Sequence, residues 1–173
     1  MTSGKKNATN LRLRAMEPAD VDMMYALEND QTLWCWSDTT APYARHTLLD
    51  WIANNTNDAF SYKQLRLVVE CQGQPIGCAD LFRIDPLNRR AEVGIALLEG
   101  WRGQGWGTTA VMALCHFAKQ HLGMNQLFAV VAENNLSAKQ LFSACAFTHT
   151  ATLQQWILRS GTPQDALVFQ KLL

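Results

Sequence analysis

The sequence lacks the features of a secreted or membrane-spanning chain. The polar opening MTSGKKNATN has no apolar signal segment, and no run of 18 or more apolar residues follows it. The cysteines form no C-x-x-C pair, and their odd count of five suits a reducing compartment better than a disulfide framework. We therefore expect a cytoplasmic protein without a membrane partner, in which most cysteines are buried as small apolar side chains.

The chain also lacks net charge. Fifteen Lys and Arg residues balance fifteen Asp and Glu residues, so no overall field would attract nucleic acid or an anionic membrane. Hydrophobic residues make up 48% and charged residues 17%, which argues against disorder and against a long amphipathic rod. Because no internal repeat or linker-like stretch occurs, we expect a flexible N-terminus at 1–10 and one domain at 11–173.

The spacing of apolar residues predicts a mixed α/β fold, with a crossover helix between the third hairpin strand and a buried strand. The predicted strands cover residues 11–14, 65–71, 75–83, 90–98, 126–132, 147–158 and 166–171. One predicted helix opens at Pro18 with an apolar stripe that includes Tyr25, and a second at 45–54 turns Leu48, Leu49 and Ile52 inward. A third ends at Gly123, and a fourth surrounds 138–145.

A glycine-rich loop lies between a predicted strand and a predicted helix. In this segment, Arg102-Gly103-Gln104-Gly105-Trp106-Gly107, successive backbone N–H groups and the helix N-terminus can converge on one anion. Glycines let the main chain approach a phosphate without interference from Cβ, so a diphosphate site is the natural inference. The glycine spacing does not match G-x-G-x-x-G, and no Gly-Lys-Ser/Thr occurs. A simple tight turn and a nucleotide-binding domain using the same loop remain alternatives.

Arg102, Gly105 and Gly107 match [Q/R]-x-x-G-x-[G/A], the acetyl-CoA loop of the GNAT superfamily of N-acetyltransferases. The preceding Ala-Glu-Val-Gly-Ile-Ala-Leu strand and the segment from Asn135 to Phe147 also resemble that family, and the order of elements fits it over nearly the whole chain. The resemblance is closest to the branch that includes spermidine N-acetyltransferases and ribosomal-protein alanine acetyltransferases. Ala146 and Phe142 depart from the family, which often has glycine and a tyrosine general acid there.

This resemblance implies a single α/β domain with a mixed, mostly antiparallel sheet, a splayed central strand pair and flanking helices. It implies acetyl-CoA as co-substrate, no metal, and acetyl transfer to a primary amine, on a small molecule or a protein N-terminus, by direct attack in a ternary complex. A catalytically silent acyl-CoA-binding regulatory module is the alternative, and a homodimer stays open. The residues so assigned to acetyl-CoA are Ile95, Ala96, Leu97, Arg102, Gly103, Gln104, Gly105, Trp106, Gly107, Thr108, Asn135 and Phe142.

Glu92 and Asn135 are the candidate catalytic residues. On the strand at 90–98, alternation places Glu92 with small residues on the face opposite Val93, as in a strand that lines a cleft. Glu92 would accept the amine proton, or alternatively pair with Arg89, Arg90 or Arg102. Asn135 would hold pantetheine or water, or simply cap the next helix.

Two further assignments each have a structural alternative. Phe142 lies on an apolar stripe, which favours core packing over a cofactor role. The candidate acceptor residues are Trp34, Trp36, Asp38 and Tyr43. Aromatic rings there could enclose an alkylammonium group by cation–π contact, or belong to the core.

Overall fold

Seven strands form one sheet in the computed structural model, which describes residues 10–37, 39–56, 58–159 and 161–173. The strand order is β1-β2-β3-β4-β5-β7-β6, and every neighbouring pair is antiparallel except β4 and β5. The strands are β1 Leu11–Arg14, β2 Leu65–Cys71, β3 Gln74–Asp85, β4 Arg90–Leu97, β5 Gln126–Ala132, β6 Thr148–Arg159 and β7 Thr162–Leu172. The predicted mixed α/β sheet is confirmed. The proposed flexible segment lies, apart from Asn10, outside the described residues.

Helices cover both faces of the sheet. They are α1 Val21–Glu28, α2 Gln31–Trp34, α3 Arg45–Asn54, α4 Ala59–Tyr62, α5 Trp106–Leu122 and α6 Leu136–Ala144. On one face α1 and α3 bury Met24, Leu48 and Ile52 against Val68 and Cys78, while α5 and α6 cover the larger core on the other. Side chains of a strand alternate between faces, so β2 serves both cores. Within the described residues, no helix is long and apolar enough to cross a bilayer.

The structure corrects the predicted inward faces of two helices. Leu48 and Ile52 are buried as expected, but Leu49 is 39% exposed. Four residues complete about one helical turn, so Leu48 and Ile52 share a face that Leu49 does not. Tyr25 was placed on the apolar stripe of α1, but it is exposed and the Arg45 guanidinium lies 4.4 Å from the centre of its ring.

Cysteine burial follows the expectation from the sequence. Cys71, Cys78, Cys115 and Cys145 are buried and Cys35 is exposed, all with free thiols. Burial raises the pKa of the Cys115 thiol to about 11, so this thiol is protonated and inert at neutral pH.

The central strand pair separates soon after it forms. Parallel β4 and β5 pair through Arg90–Gln126, Ala91–Leu127 and Glu92–Phe128, and their ladder continues no further. Beyond Glu92, β4 pairs with β3 alone, while β5 pairs with β7 alone. The predicted splay is therefore present, and it opens a cleft in the middle of the sheet.

Candidate active site

The cleft between β4 and β5 holds a cavity of about 180 Å³. Both strands contribute walls, and α6 closes one side. The lining includes Gly94, Ile95, Val130, Val131, Asn135 and Phe142. Of the three β4 residues expected to meet pantetheine, Ile95 lines this cavity, Ala96 lines the larger neighbouring cavity described below, and Leu97 is buried in the core. Beyond Glu92 the backbone of β4 lacks a strand partner on this side, so it can pair with an extended ligand.

The glycine-rich loop has an open backbone at the start of α5. Gly103 and Gly105 have φ values of 69° and 88°, a left-handed conformation that favours glycine. A Cβ at either position would meet no atom within 4 Å, so the loop surface is uncovered. Gly105 caps the 17-residue helix α5, whose first N–H groups have no partner within the helix. An uncovered backbone at the N-terminus of a long helix can bind an anion, and the diphosphate site at this loop stays a prediction.

Arg102, predicted to contact acetyl-CoA, is held by α2 and by β4. Its Nε donates to the Leu97 carbonyl at 2.7 Å, and an Nη donates to Asp30 Oδ2 at 2.6 Å. Asp30 caps α2 by accepting from the Thr32 N–H. Hydrogen bonds from Thr32 and from Arg102 lower the pKa of the Asp30 carboxyl. Arg102 thus braces the start of α2 against the end of β4.

Glu92 faces a cavity of about 580 Å³ beside the cleft, which we call the acceptor cavity because the candidate acceptor residues Trp34 and Trp36 line it. Its side chain is 15% exposed, and its Oε2 lies 2.8 Å from Nη1 of Arg83. Glu92 is thus paired with an arginine, as the structural alternative expected, but this arginine is Arg83, which enters from β3, where Phe82 pairs with Glu92 across the ladder. Arg89 and Arg90 instead contact the Gly123 carbonyl and Asp85.

An ion-pair cluster forms the floor of the acceptor cavity. Arg66 of β2 bonds Glu28 and also Asp80, whose Oδ1 lies 2.7 Å from the arginine Nε. Burial lowers the pKa of Arg66, but the attraction of Asp80 and Glu28 outweighs it, so Arg66 is charged. Burial raises the pKa of the Asp80 carboxyl against the attraction of Arg66. The sequence pattern does not predict this cluster, although Arg66 inside the apolar strand β2 is a signal of it.

Asn135 fits both of its predicted roles geometrically. Its Oδ1 accepts from the Ala138 N–H at 3.0 Å and caps α6, and the residue also lines the cleft. Phe142 lies both in the core and at the cleft, and its contact with the cofactor stays a prediction. It is 4% exposed and its ring packs 5.2 Å from Phe147, yet it also forms part of the cleft wall.

The aromatic residues expected to form the acceptor wall divide between two cavities. Trp34 and Trp36 line the acceptor cavity, and Trp34 Nε1 donates to the Glu28 carbonyl at 2.8 Å. Tyr43 instead lines an adjoining cavity of about 360 Å³. Asp38 lies outside the described residues. Arg159 of β6 donates to the Cys35 and Ser37 carbonyls and ties this loop to the β6–β7 hairpin.

The residues described here form no cluster of three or more side chains that would hold a metal ion. An exposed backbone at a helix N-terminus, a cleft in the sheet and a carboxylate beside a large cavity would together suit acyl transfer to a nucleophile.

Comparisons of sequence agree with this chemistry. A family model described as an acetyltransferase (GNAT) domain matches residues 10–148. The chain is 24% identical over 163 residues to spermidine N(1)-acetyltransferase of Escherichia coli strain K12, covering 93% of this chain and 85% of that protein. It is 26% identical over 159 residues to the Vibrio cholerae protein of the same name, covering 91% and 90%.

Solved structures show the same architecture. Spermidine N-acetyltransferase from Vibrio cholerae in complex with CoA and spermine matches with a TM-score of 0.81 at 25% identity, covering 95% of this chain and 96% of that one. The same Vibrio cholerae enzyme also has a dodecameric structure. RimL, a ribosomal L7/L12 N-acetyltransferase bound to CoA, matches in fold with a TM-score of 0.80 at 19% identity, covering 95% of each chain.

Proposed function

Since this chain belongs to the GNAT acetyltransferase family, we propose that it transfers the acetyl group of acetyl-CoA to a primary amine by direct attack in a ternary complex. The observation that carries the proposal is the path through the sheet. The cleft between β4 and β5 follows β4 toward its end at Leu97, shortly before the glycine-rich loop, and its cavity shares Gly94 and Ile95 with the acceptor cavity that Glu92 lines.

Each part of acetyl-CoA has a place along this path. The diphosphate would meet the N–H groups of 103–108, because the left-handed glycines expose the backbone there. Pantetheine would extend the sheet by pairing with β4 at 95–97, and the thioester would then reach the cleft near Asn135 and Phe142. Arg102 would act indirectly, by holding α2 and its aromatic residues beside the bound thioester.

The reaction needs a neutral amine, because an alkylammonium has a reference pKa near about 10 and no free electron pair. Glu92 would take the first proton, directly or through water. The amine nitrogen then forms a bond to the thioester carbon, the C–S bond breaks, and a second proton leaves the nitrogen as the amide forms. CoA departs as a thiolate with a reference pKa of about 8.5, so it needs little acid assistance and is protonated afterwards. Phe142 has no hydroxyl to supply it.

The cellular compartment and the oligomeric state are two further parts of the proposal. We propose that the protein acts in the cytoplasm, which the free buried thiols favour. We also propose that it self-associates at least to a dimer, as the dodecameric Vibrio cholerae relative suggests. Sedimentation equilibrium of the purified chain would reveal a monomer if the second statement is wrong.

Titration calorimetry and a thiol assay test the proposed activity. Acetyl-CoA should bind, while ATP and NAD should give no heat, because the loop lacks their motifs. An amine panel with acetyl-CoA should release free CoA thiol in proportion to the acetylated amine found by mass spectrometry. Tight acetyl-CoA binding with no thiol release from any amine would identify a silent binding module instead.

A further inference from the structure

Two cationic residues in an unusual backbone conformation form one rim of the acceptor cavity. Lys63 and Arg83 both line it, with φ values of 53° and 47° in the left-handed region that non-glycine residues rarely occupy. The Ile84 N–H donates to the Lys63 carbonyl at 3.0 Å and ties the two segments together. Lys63 ends α4 in the left-handed conformation that often terminates a helix, and Arg83 adopts it where the pairing of β3 is interrupted.

A break in the β3–β4 register places Arg83 at this rim. The pairing shifts between Phe82 and Asp85, as in a β-bulge, which can redirect a side chain out of the regular alternation. Arg83 reaches Glu92 through Nη1 at 2.8 Å and is 66% exposed. A guanidinium carries five N–H donors, so Arg83 can contact Glu92 and a second anion together.

The carboxylates of this cavity already have cationic partners. Arg66 contacts both Glu28 and Asp80, and Arg83 pairs with Glu92. Among the described lining residues there are three carboxylates, Glu28, Asp80 and Glu92, and four cations, Lys63, Arg66, Arg83 and Arg159. A polyamine would therefore meet a wall without excess negative charge, and its additional ammonium groups would face like charges.

These cations do not belong to the diphosphate site. Arg83 contacts Glu92, five residues before Leu97, where β4 ends near the glycine-rich loop. At the rise of an extended strand that separation is about 17 Å. Lys63 and Arg83 therefore act on the acceptor side of the thioester.

Building on the proposed function, we infer that the acceptor is a primary amine whose own molecule carries a carboxylate close to the amine. The amine approaches the negative charge of Glu92, and the carboxylate of the acceptor binds to the positive charges of Arg83 and Lys63. A free amino acid and a peptide with an acidic residue at its N-terminus both present this chemistry.

Matched acceptors test the inference. We would compare kcat/KM for free amino acids against their amides, for a peptide beginning with Glu against the same peptide beginning with Gln, and for spermidine. At least one carboxylate-bearing acceptor should exceed its amide partner by tenfold or more, and the pair that does so identifies the source of the carboxylate. Lys63→Asn should reduce this ratio several-fold, because asparagine tolerates the left-handed conformation but carries no charge. Arg90 pairs with Asp85 outside the cavity, so the control variant Arg90→Gln should preserve the ratio.

Three results would overturn the inference. In the first, every acid and amide pair reacts equally, which shows that no carboxylate site exists. In the second, spermidine is the best acceptor and Lys63→Asn improves its use further. In the third, bound acetyl-CoA yields no thiol with any acceptor, and the proposed acetyltransferase activity then fails as well. In the first two the activity itself stands.

Discussion

Replacing Glu92 by Gln removes one negative charge from the acceptor cavity while nearly preserving the volume of the side chain. The group it contacts, Arg83, is 66% exposed, so loss of this ion pair should cost under about 1 kcal/mol of folding free energy. In a chain of 173 residues that corresponds to a melting temperature lower by under about 4 °C. Removal of a general base, in contrast, should reduce kcat by about 10²-fold, or about 2.7 kcal/mol of transition-state stabilisation.

Steady-state thiol release at saturating amine, measured from pH 6 to pH 10, separates these effects. The deficit of Glu92→Gln should shrink at high pH, because the amine then arrives neutral and needs no base. Acetyl-CoA affinity by calorimetry should match wild type, and Glu99→Gln, at an exposed carboxylate outside the cavity, should retain full activity. A kcat within about threefold of wild type at pH 7 would refute the assignment, and water or another residue would then take the proton.

Three further changes probe the cofactor side. Thr108→Glu places a carboxylate in the first turn of α5, where the helix dipole favours it, so the variant should melt no lower than wild type. Because this carboxylate would repel the diphosphate, acetyl-CoA should bind at least tenfold more weakly in calorimetry. The uncharged control Thr108→Gln should bind acetyl-CoA normally. Phe142→Tyr should regain the wild-type melting temperature when acetyl-CoA is bound, because this residue reaches the cleft; a loss that acetyl-CoA does not reverse would show that the hydroxyl is trapped in the core. Asp30→Asn should lower the melting temperature between pH 7 and about pH 4.5. The difference from wild type should disappear only as the pH falls through the lowered pKa of Asp30, because wild type then loses the same charge. A difference in melting temperature that does not depend on pH would refute the contact with Arg102.

Local patterns predicted most of the fold, because the spacing of apolar residues within a strand or helix follows from which of its faces is buried. The apolar run of β2, the alternation in β4 and the helical stripe of α5 were visible in the sequence, as was Gly123, which ends α5 with a φ of 64°. The short helices α2 and α4 were not predicted, because four residues are too few to show a helical period. The start of β7 was also missed, since 162–165 is polar and contains Pro163.

The site was harder to predict because its contacts join residues far apart in the chain. The cofactor loop is contiguous, so its glycines could be identified directly. The partner of Glu92 is set by the β3–β4 register and by a bulge, which sequence spacing does not reveal. Similarly, the contact between Arg102 and Asp30 joins residues 72 positions apart, so the spacing of the loop does not predict it.

The early end of the β4–β5 ladder gives a single strand two classes of backbone amide. Residues 126–128 of β5 lie between two strands, whereas 129–132 have a neighbour only in β7. Amide hydrogens that lie in a local opening exchange with solvent at a lower free-energy cost than those of a fully paired core. Deuterium uptake should therefore change abruptly within β5, at Ala129. A ligand in the cleft should slow deuterium uptake at 129–132 and leave the uptake at 126–128 unchanged. One peptide that covers β5 would therefore report ligand binding and contain its own reference.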